Sequence, residues 1–184
     1  VSGGSLTASD IVVRGTRERA SDDALGRGVN VEDGAHLALS RALVEDNRES
    51  GLFVNRAGTS VEATDVVVRG TRERASDGTF GHGINVQAGA HLALSRALVE
   101  DNRESGLFVN GTGTSVEAAD VVVRGTRERA SDGTLGRGIS VEAGAQLTLA
   151  RALVEDNRAS GLIAAGTGTS VEATDVVVRG TRER

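Results

Sequence analysis

Seven arginines recur along the chain at alternating intervals of 31 and 24 residues: Arg17, Arg48, Arg72, Arg103, Arg127, Arg158 and Arg182. Guanidinium groups are planar, permanently charged and able to grip the oxygens of carboxylates or sulfates in pairs. A regular row of them is suited to an extended anionic polymer such as an acidic polysaccharide. The candidate ligand-binding residues are therefore Arg48, Arg72, Arg103, Arg127 and Arg158. Each arginine is followed by Glu18, Glu49, Glu73, Glu104, Glu128, Ala159 or Glu183, so mutual neutralisation at a solvated corner is the competing expectation. Asp22, Asp77 and Asp132 form a second set, each with glycine nearby, where a loop could take a cation or sugar hydroxyls. Their alternative role is structural, with Leu25, Phe80 and Leu135 tucking the loop against the body.

Histidine chemistry is sparse. His36 and His91 occupy equivalent places, while the third equivalent is Gln146. Stacking would hold their backbones about 9.6 Å apart, too far for parallel side chains to share a zinc ion. Acids and bases recur every 55 residues, whereas a reaction at one substrate bond needs one unique constellation. No catalytic, metal or cofactor residue is assigned on this basis, and calcium has no dedicated carboxylate cluster.

The elements that must position these side chains are repeats. Asp10, Asp65, Asp120 and Asp175 precede IVVRGTRER and then VVVRGTRER three times. Each 55-residue period divides into a long unit (3–33, 58–88, 113–143, with a partial one at 168–184) and a short unit (34–57, 89–112, 144–167). Apolar residues alternate in brief bursts: Leu92 and Leu94, Ala97 and Val99, Leu107 and Val109. That spacing predicts three short strands per unit, with corners at Ser95-Arg96, Asp101-Asn102 and Gly106. With 25 glycines, no proline and only Phe53, Phe80 and Phe108 as aromatics, the composition suits many strands and tight turns. The expected architecture is an all-β solenoid of about seven coils, roughly 30 Å long, whose repeat is a pair of unlike coils. The long unit carries an inserted loop at 20–27, 75–82 and 130–137, expected to line up on one edge of every second coil.

Stacking also sorts the outward residues into columns. Asp10, Arg41, Asp65, Arg96, Asp120, Arg151 and Asp175 alternate in sign, as do Arg14, Glu45, Arg69, Glu100, Arg124, Glu155 and Arg179. Between them runs an aliphatic column from Val12 through Leu43, Val67, Leu98, Val122 and Leu153 to Val177. It is either shielded by the charged stems or a docking face, to which Phe53 and Phe108 would add exposed apolar positions. Asn47, Asn102 and Asn157 form a structural ladder at the corner before the arginines, bonding backbone groups of adjacent coils.

Composition closes several classes. A net charge of −5 argues against a general nucleic-acid binder. Hydrophobic residues at 38% and charged residues at 26% exclude a membrane span and a disordered chain. Without cysteine, disulfides and thiolate chemistry are absent. Leucine-rich repeats are disfavoured, because Asn102 follows Leu94 by eight positions and no helical spacing completes the unit.

The order LxL, AxV, Asn at a turn, then GLxV in GAHLALSRALVEDNRESGLFV resembles right-handed parallel β-helices of the pectate-lyase-like superfamily. The resemblance covers essentially the whole chain and implies that fold. It leaves activity open, since the superfamily includes lyases, hydrolases, epimerases, adhesins and bacterial surface proteins. Gly81-His82-Gly83 looks like the GHG element of polygalacturonases, but the other copies read Gly26-Arg27-Gly28 and Gly136-Arg137-Gly138, and the NTD, DD, RIK and DPHD elements of the enzymatic relatives are missing. The expected function is a non-enzymatic structural or interaction module, extracellular or on a bacterial cell surface, with an acidic polysaccharide or another protein subunit as partner. The alternatives are a non-catalytic part of a carbohydrate-active enzyme and a self-assembling repeat module. The chain opens and closes inside its own repeat, so further coils of a longer protein are expected to flank it.

Overall fold

The computed structural model describes residues 1–21 and 25–181, and every strand pairing in it is parallel. There is no helix among the described residues, and so none long and apolar enough to cross a membrane. Two sheets run the length of the rod. The first takes one strand from each coil, with the ten-residue strands β4 (His36–Glu45), β6 (Ser60–Arg69), β8 (His91–Glu100), β10 (Ser115–Arg124), β12 (Gln146–Glu155) and β14 (Ser170–Arg179) stacked in chain order. At its start the same path is split into β1 (Ser5–Ser9) and β2 (Val12–Arg14), both paired with β4. The second sheet stacks β3 (Val29–Glu32), β5 (Ser50–Asn55), β7 (His82–Gln87), β9 (Ser105–Asn110), β11 (Arg137–Glu142) and β13 (Ser160–Ala165).

Two strands per coil therefore replace the expected three. The corner at Ser95-Arg96 exists, but it is made by a single left-handed residue that bends one strand without ending it. Asp10, Arg41, Asp65, Arg96, Asp120, Arg151 and Asp175 all have φ between 49° and 57°. Pairing skips these residues and resumes beyond them, as in Thr64 with Ser95 and then Val66 with Ala97.

The core explains why unlike coils alternate. Short coils place Leu92, Leu94 and Ala97 inward where long coils place Val116, Ala118 and Val121 in register with them. Large side chains thus stack on smaller ones along each column and fill the interior at close packing. On the opposite sheet Leu52, Ile84, Leu107 and Ile139 stack directly, all essentially inaccessible to solvent.

At one corner the coils touch through backbone. Gly28, Gly51, Gly83, Gly106 and Gly138 each face the carbonyl oxygen of the corresponding glycine in the next coil, so closely that a Cβ would lie 2.6–2.8 Å from it. Asn47, Asn102 and Asn157 close the same corner and are fully buried. The side-chain oxygen of Asn102 accepts the Thr71 N–H at 3.0 Å, and its amide donates to the Val68 carbonyl at 3.2 Å. Asn157 repeats both bonds with Thr126 and Val123.

Gly106→Ala tests this contact. Its Cβ would sit 2.6 Å from Val123 Cγ1 and 2.8 Å from the Gly138 carbonyl. The expected loss is about 1–3 kcal/mol, the usual cost of overpacking, read from urea unfolding followed by circular dichroism.

Candidate functional site

The outward charges are organised by the same stacking. Arg41 grips Asp10 through Nε and Nη2, both at 2.6 Å, and Arg96 and Arg151 grip Asp65 and Asp120 at 2.7 and 2.8 Å. In the second column Arg69, Arg124 and Arg179 donate Nε and Nη2 to a single oxygen of Glu45, Glu100 and Glu155 at 2.8–3.1 Å. The first set joins each long coil to the short coil after it; the second joins each short coil to the next long one. Every successive junction thus carries one such clasp. Hydrogen bonds from Arg41, Arg96 and Arg151 hold the carboxyls of Asp10, Asp65 and Asp120 below their ordinary range.

The like-charged arginines sit where the sequence places them, and the backbones of Arg48 and Arg72, and of Arg103 and Arg127, pair directly. Their side chains divide into two kinds. Arg48 and Arg103 donate to the carbonyls of Glu73 and Glu128 at 2.9 and 2.8 Å and are about a third exposed. Arg158 lies 3.7 Å from Glu128. Arg72 is exposed and forms no ion pair among the described residues, while Arg127 meets only Asp101, at 3.4 Å. Shallow concavities repeat beside them, one lined by Arg17, Asp46, Arg48 and Arg72, another by Asp101, Arg127, Asp156 and Arg158. Arg182 lies outside the described residues.

The glutamates neutralise only part of this ladder: Glu18, Glu73 and Glu128 lie 3.9, 3.9 and 3.7 Å from Arg48, Arg103 and Arg158 of the short coils, and none pairs with Arg72 or Arg127 among the described residues. Glu49 and Glu73 are buried, and their oxygens serve the inserted loops. Glu18 accepts the Ala75 N–H at 2.8 Å and Glu73 the Ala130 N–H at 2.7 Å, each reaching forward to the loop of the next long coil. Glu49 accepts the Leu25 N–H at 3.1 Å and Arg27 Nε at 2.6 Å. The two loops at 75–82 and 130–137 align on one edge, where the Ser131 hydroxyl donates to the Gly78 carbonyl at 3.0 Å.

Asp77 and Asp132 are committed within their own loops. Each accepts the backbone N–H and hydroxyl of Thr79 or Thr134 at 2.7–2.9 Å and pairs with Arg74 or Arg129. The threonine hydroxyls, first of all, hold both carboxyls below their ordinary range. Asp22 lies outside the described residues. Among the described residues no three metal-ligating side chains converge. His36 and His91 bond Ser60 and Ser115 through Nδ1 at 2.6 and 2.9 Å.

Phe53, expected to be exposed, is buried because the Arg27 guanidinium covers its ring at 3.6 Å. Phe108 is half-buried under His82, stacked at 4.7 Å. His82 itself is buried, edge-on to Phe80, with Nε2 3.7 Å from Glu104 and Nδ1 without a hydrogen-bond partner. The repeats differ here: Arg27, Glu49 and Phe53 become His82, Glu104 and Phe108, then Arg137, Ala159 and Ile163. Without its glutamate and phenylalanine, Arg137 turns to Glu142 on its own strand at 2.7 Å. Reading the histidine only against an enzymatic motif missed this buried site; the signal that could have found it is that residues 27, 49 and 53 and their equivalents, brought together by the stacking, are not the same in the three copies.

Parallel strands stacked coil on coil around one aliphatic core, with structural asparagines at a corner, define a right-handed parallel β-helix. The family described as right handed beta helix region matches residues 21–177, and the chain belongs to it. Neither curated proteins nor solved structures match the chain.

Burial pushes the His82 imidazole down to about 3, helped by the charge of Arg129, while burial raises the Glu104 carboxyl against the opposing pull of Arg129. The unfolded chain protonates His82 near pH 6.5, so stability falls as pH drops from about 6.5 toward 3, by up to about 1.4 kcal/mol per pH unit. Glu104 acts in the opposite sense in the carboxylate range. His82→Phe is expected to flatten the slope between about pH 6.5 and 5, measured by urea unfolding at stepped pH.

Proposed function

We propose that the chain is a non-enzymatic repeat module of an extracellular or bacterial cell-surface protein, a rod whose arginine corner binds an extended anionic polysaccharide. The observation that carries this reading is the unbalanced ladder. The Asp–Arg and Glu–Arg columns clasp themselves at each junction. The neighbouring glutamates, turned under the loops, pair within the ladder only with Arg48, Arg103 and Arg158 of the short coils, so that Arg72 and Arg127 project from a same-sign column without a glutamate partner among the described residues. The projecting arginines recur on every second coil, about 9.6 Å apart, so a polymer lying along the rod meets a cation at a constant interval. Each single contact is weak and screened, and binding accumulates along the array.

The two kinds of arginine separate binding from folding. Arg72→Gln with Arg127→Gln is expected to lower binding to polyuronate or sulfated glycan by about tenfold, measured by calorimetry at low salt, with melting unchanged. Arg103→Gln is expected to act mainly on melting, since its guanidinium bonds the Glu128 carbonyl. Unchanged glycan binding in the Arg72/Arg127 variant would refute the assignment.

A further inference from the structure

One face of the rod is self-complementary. On the second half of each long strand, charges four residues apart flank an aliphatic residue and are opposite in sign: Asp65 and Arg69 around Val67, Arg96 and Glu100 around Leu98, Asp120 and Arg124 around Val122. The order of signs reverses from each coil to the next. Val67, Leu98 and Val122 are half-buried under the charged stems, and the Asp–Arg pairs remain about half exposed. Each Arg–Asp clasp uses Nε and Nη2, and Nη1 donates no hydrogen bond among the described residues.

Two such faces can be laid together with the two-fold axis along the rod. The rods then run parallel, and the first charged column of one copy lies over the second column of the other, coil on equal coil. Asp65 meets Arg69 of the second copy and Arg96 lies over its Glu100, whose side chain is 14% exposed beside Arg124, so each exposed charge faces its opposite while the aliphatic column packs on itself. Slipping one coil sets Asp against Glu and Arg against Arg along the whole face. Turning one rod end for end lays each column on itself, so full overlap of the seven coils brings Asp onto Asp. Over all seven coils only the parallel, in-register arrangement satisfies the pattern, whereas an end-for-end pair offset by one coil satisfies it over six.

We propose that this face is a self-association surface on which a second copy of the chain docks parallel and in register. The inference does not rest on the polysaccharide reading, which uses a different column. The face measures roughly 30 by 13 Å, about 400 Å² per copy against about 800 Å² in an ordinary stable interface. Dimerisation of this chain is therefore weak, and it strengthens as coils are added.

Sedimentation velocity of the 184-residue chain at low salt, up to about millimolar concentration, should show a reversible monomer–dimer equilibrium that salt weakens. The double exchange Asp65→Arg with Arg96→Asp keeps a clasp within the rod but turns like charges toward the second copy. It should weaken dimerisation by about tenfold or more; melting falls modestly as well, because residue 65 then faces Arg41 and residue 96 faces Asp120 with like charge within the rod. Leu98→Gln, which leaves all charges intact, should weaken it as well, and serves if the exchanged pair fails to fold. Because the chain has no cysteine, Leu43→Cys reports orientation. Residue 43 meets itself only in the parallel register, so a short bismaleimide should link two copies through it. A strictly monomeric chain, a dimer indifferent to both variants, or linkage through Leu98→Cys but not through Leu43→Cys would each overturn the proposal. Glycan binding by a strictly monomeric chain would leave the arginine-corner reading intact.

Discussion

Adjacent coils meet backbone to backbone along Gly28, Gly51, Gly83, Gly106 and Gly138, where no side chain fits between them. That contact fixes the coil spacing, and most other features depend on it. It brings the Asn102 amide within reach of Thr71 and Val68 in the preceding coil, and it holds Leu52, Ile84, Leu107 and Ile139 in continuous contact. It also brings the outward charges close enough to clasp. Widening the spacing at one corner would loosen the interior, the buried amides and the surface pairs together.

Within this frame the left-handed residues have a double task. A non-glycine residue at φ near 50° costs roughly 1 kcal/mol or more, and seven of them bend the long strands. These same residues are the aspartates and arginines of the first charged column. The bend sets their side chains at the outer corner, where Arg96 can reach both oxygens of Asp65. Strain accepted in the backbone is thus coupled to pairing between coils, and the charge pattern and the bend pattern share one period.

The fold was legible in the sequence because its signals repeat: alternating Leu and Val, glycines at corners and asparagines at constant offset all reinforce one period. The charged columns were legible for the same reason. What periodicity could not show was direction. Glu49 and Glu73 follow arginines in the sequence, and only the loop path turns them inward to Leu25 and Ala130. Likewise, Arg103 is equivalent to Arg72 in the sequence but not in its bonds. The continuity of the ten-residue strands was hidden because a charged residue in a left-handed bend reads as the end of one strand and the start of another. His82 stood out as different, but its burial depends on Phe80 and Phe108, which come from a loop and from the next coil.

The clasps alternate sides from one junction to the next, as mortar joints do between courses of brick. Each coil is tied to the coil before it through one column and to the coil after it through the other, so the two kinds of coil cannot exchange places. Removal or duplication of a single coil would set carboxylate on carboxylate at the new seam and large side chains on large. Removal or duplication of a pair leaves every seam as it was. An array built this way can change length through recombination between its own near-identical copies only in steps of 55 residues, because each such step preserves every junction.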